Sequence, residues 1–230
     1  LSFSDRWKPQ PRGDPRQALG SRAAGHAPHG MAGSDAGFKR HSNGLQQFFD
    51  YIRGEQGLNL LDLSGASQAN IGFITDLGHR LYSEDLLQTL EQTFGGPGDF
   101  YENQQLPDRQ KAYLQQNLAF PDQHFDGALV WDALEYLSPP LLKETVDRLT
   151  AVVKPRSYIL ALFHADERAD TIPTYSYRIA DAGTLLLAPR GLRRPGQFFN
   201  NRAVEKLFQS CESVKFFLTR DALREVIVKR

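Results

Sequence analysis

The stretch Leu58-Asn59-Leu60-Leu61-Asp62-Leu63-Ser64-Gly65-Ala66-Ser67-Gln68-Ala69-Asn70 decides the fold. Its first six residues are apolar apart from Asn59 and Asp62, too few for a helix and without the alternation of a half-exposed strand. They read as a strand buried on both faces, which is how a central parallel strand looks. The turn that follows is built of Ser64, Gly65, Ala66 and Ser67, small enough to let a backbone approach a ligand. A short helix over 69–77 then carries Ile71, Phe73, Ile74 and Leu77.

Working outward, the same unit recurs. Before it, Leu45, Phe48, Phe49 and Ile52 stand at helical spacing, and Gly54 and Gly57 end that helix. After it come a strand at 79–83, a helix at 86–94, the Gly95-Gly96-Pro97-Gly98 loop and a helix at 108–116. Phe125 to Trp131 is another apolar strand. Ser138 followed by Pro139 and Pro140 opens a helix that ends before Pro155, with a hydroxyl cap and prolines where no amide proton is needed. Ser157 to Phe163 is the next buried strand.

Strands alternating with helices mean a parallel sheet covered on both faces. The last third departs from this pattern: a hairpin is expected at about 174–190, then a helix from Asn201 to Cys211, then a closing hairpin of 214–218 and 225–228 joined across Arg220-Asp221. The fold class is therefore α/β: Rossmann-like and doubly wound, with a mostly parallel sheet ending in an antiparallel hairpin.

Residues 1–40 have another character. They hold seven basic residues against three acidic ones, a net of +4, together with Pro9, Pro11, Pro15, Pro28 and six glycines, and they show no hydrophobic period. This composition predicts a disordered basic tail. Met31, the only methionine, sits where the composition changes, so residues 1–30 are expected to precede the native start. Residues 41–230 carry 20 basic and 24 acidic residues, so the overall neutrality is a cancellation.

Composition excludes several classes. No apolar run approaches the ~18–20 residues of a membrane span. The single Cys211 forms no internal disulfide, is expected in the core, and belongs to no Cys/His set at zinc spacing, so no metal is expected and a reducing, cytoplasmic setting fits best. A net of −4 over the folded part with no basic stripe makes nucleic acid an unattractive partner.

In open parallel sheets ligands bind beyond the carboxyl ends of strands, where the strand order reverses. The small-residue turn lies there, and about twenty residues on, Glu84-Asp85 ends the next strand, where a carboxylate can accept hydrogen bonds from ribose hydroxyls. A nicotinamide enzyme would carry G-x-G-x-x-G in the turn; only Gly65 is glycine. Asp62 would repel a pyrophosphate and attract a cationic ligand. S-adenosylmethionine is a nucleoside that carries an ammonium and a sulfonium and no phosphate.

With these residues in view, the chain from Leu45 to Arg230 resembles the class I S-adenosylmethionine-dependent methyltransferases, in particular their type 11-like domain. Leu-Leu-Asp-Leu-Ser-Gly-Ala-Ser at 60–67 is similar to the glycine-rich first motif, in degenerate form, with Ser64, Ala66 and Gln68 where the family has glycines. Glu84-Asp85 resembles the ribose-binding acid, and Leu118 to Val130 the segment entering the fourth strand. The resemblance implies a seven-stranded sheet, S-adenosylmethionine as cofactor, and a domain over 41–230. It implies Asp62, Ser64, Gly65 and Ala66 at the methionine part, Glu84 or Asp85 at the ribose, Gln116 and Leu118 near adenine, and Trp131 facing the methyl group.

Methyl transfer needs positioning, and a base only for acceptors that must lose a proton. Asp132, just past the fourth strand, is the candidate base. Tyr136, His164, Tyr175, Tyr177 and Arg178 are candidate acceptor contacts, the last three on the expected hairpin, where the family often builds a lid. The Asn/Asp-Pro-Pro-Tyr/Phe motif used on base amino groups is replaced by Trp131-Asp132-Ala133-Leu134, so a small-molecule or protein acceptor is expected. The replaced glycines also motivate a second reading, a non-catalytic domain that kept the fold as a binding or partner module.

Overall fold

The computed structural model describes residues 37–230 apart from Pro97, Leu218 and residues 220–222. The expectations for residues 1–36 and for the Arg220-Asp221 connection lie outside the described residues.

The chain opens with strand β1 (Phe38–His41) and helix α1 (Asn43–Tyr51). Ser42 caps α1, its Oγ accepting from the Leu45 amide at 3.1 Å. Then follow β2 (Asn59–Asp62), α2 (Gln68–Asp76), β3 (Arg80–Ser83), α3 (Leu86–Phe94), the single turn α4 (Phe100–Asn103) and α5 (Pro107–Gln116). Next come β4 (Phe125–Trp131), a 3-10 turn at Ala133–Tyr136, α6 (Pro139–Val152) and β5 (Val153–His164). The last part contains β6 (Ile172–Asp181), β7 (Thr184–Arg193), α7 (Asn201–Leu207), β8 (Ser213–Phe217) and β9 (Leu223–Lys229). Prolines do open α6, but the Ser138 hydroxyl makes no cap bond; its amide donates to Gln104 Oε1 at 2.7 Å instead.

The main sheet runs β3-β2-β4-β5-β9-β8. Pairs β3/β2, β2/β4 and β4/β5 are parallel, while β9 is antiparallel to both β5 and β8. This is a Rossmann-like α/β fold with a mixed sheet, and the strand order reverses between β2 and β4. Among the described residues the sheet has six strands, not seven. The stretch between α3 and β4, rich in Gln, Asp and Gly, has no apolar run to supply another and folds as α4 and α5.

The strands alternate across the sheet, so each feeds two cores. Leu61, Val130, Ile159 and Val228 pack under α3, α5, α6 and α7. Leu60, Leu129, Leu160 and Ile227 pack on the opposite face, under α1, α2 and a second sheet. That second sheet, β1-β7-β6, is antiparallel. Gly127 of β4 allows the approach of α1: a Cβ there would lie 2.8 Å from the Phe48 ring.

The hairpin expected at 174–190 extends over Ile172–Arg193, and Phe38–His41 joins it as a third strand. Residues 38–40 thus leave the predicted tail. Arg40 is buried because its guanidinium pairs with Glu225 of β9 and donates to the Leu223 carbonyl at 3.0 Å, and the Gly44 amide donates to the other Glu225 oxygen at 2.6 Å. Cys211 lies beyond the end of α7, which stops at Leu207, and is half-buried, packed against the edge of the core. Among the described residues no helix is long and apolar enough to cross a membrane, and no three His, Cys, Asp or Glu side chains are grouped to hold a metal.

Candidate functional site

The carboxyl ends of β2 and β4 meet at Asp62 and Trp131. Asp62 is fully buried and accepts from four donors. Oδ1 accepts from the Ser64 amide at 2.9 Å, the Ser64 hydroxyl at 2.7 Å and the Trp131 indole Nε1 at 2.7 Å; Oδ2 accepts from Asn70 Nδ2 at 2.8 Å. Oδ1 is thus crowded by three donors, whereas Oδ2, with one, keeps an acceptor site. Burial pushes the Asp62 carboxyl upward, and the Trp131, Ser64 and Asn70 hydrogen bonds oppose that rise.

Asn70, in the first turn of α2, also pins the second sheet. Its Nδ2 donates to the Tyr177 carbonyl at 3.1 Å, and its Oδ1 accepts from the Ile179 amide at 2.8 Å. Trp131 has φ +56, a left-handed conformation that costs a bulky residue. Its indole stacks on Tyr177 with centroids 4.8 Å apart and planes at 8°.

The turn itself is arranged as small residues permit. Gly65 has φ +88, and a Cβ on it would stand 2.9 Å from Asp85 Oδ2. Its amide donates to the Glu84 carbonyl at 3.0 Å. The two acids at the end of β3 diverge. Asp85 caps α3 through the Gln88 amide at 2.9 Å and faces the crevice, with Arg190 of β7 at 3.8 Å. Glu84 turns aside and accepts from the Leu118 amide at 3.2 Å; burial raises its carboxyl, and that bond opposes the rise. Leu118 is buried in the core with φ +53, a second left-handed residue.

Beyond β4 lies a buried polar cluster. Tyr136 donates its hydroxyl proton to Asp132 Oδ2 at 3.2 Å. Burial and the neighbouring Glu135 charge push Asp132 up to about 6, against the pull of His164. Glu135, wholly buried, accepts the His164 amide at 3.0 and 3.1 Å on its two oxygens, and Oε2 lies 2.7 Å from His164 Nδ1. Burial would lower His164, but the Glu135 contact outweighs it and holds the imidazole above its ordinary value.

Of the residues expected at a site, the structure gathers Ser64, Asp85, Trp131, Asp132, Tyr136, Tyr175 and Tyr177 around one cavity, to which β7 adds Arg190. That cavity measures about 20 Å³. One water needs about 10–15 Å³ and a ligand pocket some 300–1,000 Å³, so it has room for one water and for no nucleoside. A larger depression of about 380 Å³ shares Ser64 and Tyr177 with it and is lined further by Ala66, Gln68, Ser176 and Arg178.

The other expected residues fall elsewhere. Gln116 is exposed, because α5 buries Tyr113 and turns its last residues to solvent. Arg178 faces outward because strand alternation in β6 turns its neighbour Tyr177 inward. His164 is a buried pin between β5 and the 3-10 turn, not part of the cavity wall. Arg190 carries no signal in the sequence, and the signal for Asn70 is an amide at the start of an otherwise apolar helix.

No family model matches the chain, and no curated protein does. Solved structures to which it is similar include the Burkholderia thailandensis 1,6-didemethyltoxoflavin-N1-methyltransferase with bound S-adenosylhomocysteine, at 13% identity and TM-score 0.43, over 80% of this chain and 74% of that one. An S-adenosylmethionine-dependent methyltransferase from Methanosarcina mazei is similar at 13% identity and TM-score 0.45, over 79% and 96%. The glycopeptide N-methyltransferase MtfA complexed with S-adenosylmethionine is similar at 11% and 0.42, over 82% and 94%. The fold assignment rests on the strand order given above.

Proposed function

We propose that this chain is an S-adenosylmethionine-dependent methyltransferase acting on a small-molecule or protein acceptor. The observation that carries the reading is the convergence, at the β2/β4 switch point, of the small-residue turn after β2 with Asp85 at the end of β3 and the Asp132–Tyr136 pair after β4. On this reading the turn receives the amino-acid end of the cofactor and Asp85, rather than Glu84, the ribose. Asp132, which titrates near neutrality, takes the acceptor proton where there is one to lose.

The fit to the cofactor is incomplete. The nucleoside end has its acid, but the amino-acid end meets a carboxylate already given four donors and a small cavity lined by an indole. The crowding of Asp62 Oδ1 by three internal donors favours a second reading, a methyltransferase-like domain that binds a partner without catalysis. Titration calorimetry of the full chain with S-adenosylmethionine, S-adenosylhomocysteine and NADPH separates them. The first reading expects the two S-adenosyl ligands to bind and NADPH not to. Absence of heat from both at millimolar concentration rejects it.

A further inference from the structure

We infer that Trp131 is an internal occupant of the ligand crevice, and that its indole holds the place on Asp62 that the ammonium group of an S-adenosyl ligand would take. The inference rests on the reading proposed above and adds to it the residue that sets access and affinity.

Three observations meet on this side chain. First, three of the four donors to Asp62 crowd Oδ1, and of the four Trp131 Nε1 is the one from a side chain that could leave without breaking the turn or the α2 contact. Ser64 donates from the turn itself, and Asn70 is held by its two bonds to β6. Second, the indole lines the cavity between Ser64, Asp85 and Tyr177, where only about 20 Å³ remains. Third, Trp131 is held at φ +56, which a bulky residue keeps only where its surroundings compel it. What compels it is the Asp62 bond and the stack on Tyr177, which β6 brings over the crevice from the second sheet.

Entry of a cationic amino-acid end is then an exchange of donors on Asp62, ammonium for indole N–H, and the stack on Tyr177 must open as it occurs. Apparent affinity is the intrinsic affinity multiplied by the fraction of molecules in which Trp131 has left. A nucleoside lacking the amino-acid end has no claim on Asp62 and does not compete with the indole.

The test is calorimetry of the full chain and its Trp131→Phe and Trp131→Gly variants with S-adenosylhomocysteine and with adenosine. Glycine suits the positive φ, and phenylalanine keeps a ring on Tyr177 while removing the donor. Trp131→Gly is expected to bind S-adenosylhomocysteine about tenfold or more tightly than the wild type, Trp131→Phe to gain less, and adenosine to change by no more than about twofold. An unchanged or weakened S-adenosylhomocysteine affinity in both folded variants overturns the inference, since the indole would then be a wall on which the ligand packs. In that outcome binding by the wild type leaves the proposed function standing. No binding by the wild type or by either variant removes the proposed function and the inference with it.

Discussion

Trp131 Nε1 donates to Asp62 Oδ1 at 2.7 Å, joining the ends of the two strands between which the sheet order reverses. The acid that a ligand-binding crevice would offer is therefore an internal structural element. It organises the turn, the first turn of α2 and the end of β4 together.

Asp62→Ala should cost stability without any ligand. The substitution strands the buried Trp131 and Asn70 donors and frees the turn at Ser64, a loss on the order of 3–5 kcal/mol. Urea unfolding checks it; a variant within about 0.5 kcal/mol of the wild type would mean that these bonds do not hold the turn.

Asn70→Ala should loosen the second sheet. The Ile179 amide loses its acceptor and the Tyr177 carbonyl a donor, so hydrogen exchange at Ile179 should accelerate by about tenfold or more. Unchanged protection there would show that packing alone holds β6 on α2.

Asp132 gives a pH dependence of known sign. Its folded value, about 6, lies above the model-peptide value of 3.8, so between these values the folded chain binds more protons than the unfolded one. Its stabilising contribution is full below about pH 4, falls through the window to about 6, and is absent above it. Asp132→Asn removes the buried charge and should flatten the wild-type-minus-variant stability difference above pH 6 while lowering relative stability near pH 4, by on the order of 3 kcal/mol across the window. Denaturant titrations at several pH values measure this; a difference that is constant with pH contradicts it.

The Arg40–Glu225 pair ties β1 to β9 through groups that are both buried. Glu225→Gln or Arg40→Met alone should cost about 3–5 kcal/mol, because each removes one side of a buried ion pair. The double variant should lose less than the sum, with a coupling on the order of 2 kcal/mol in a double-mutant cycle. Additive losses would deny the pair its role.

What the sequence reveals of this fold is what local pattern carries. The apolar runs at Leu60 and Phe125 and the small residues after Asp62 mark the strands and the crevice, because burial on both faces and a tight turn leave residue-level traces. β1 leaves none: Phe38-Lys39-Arg40 reads as the end of a solvated tail, yet Arg40 is buried and pairs with Glu225, 185 residues away. The seventh strand came from family resemblance, whereas the residues themselves, without an apolar run between α3 and β4, supply six. The closure of the crevice was likewise invisible, since it depends on the backbone angle at Trp131 and on Tyr177, a residue from another sheet. Sequence placed Asp62 and Trp131 at one site but gave no sign that they would bind each other.

The indole N–H of Trp131 reports on that bond directly. In a ¹⁵N-tryptophan-labelled full chain with Trp7→Phe, one indole resonance remains. The account predicts that it is shifted downfield and protected from solvent exchange, and that saturating S-adenosylhomocysteine moves it to an exchanging, upfield position. An indole proton that exchanges freely in the ligand-free protein, or one that stays protected when the ligand is bound, would contradict the claim that Trp131 occupies the ligand's place on Asp62.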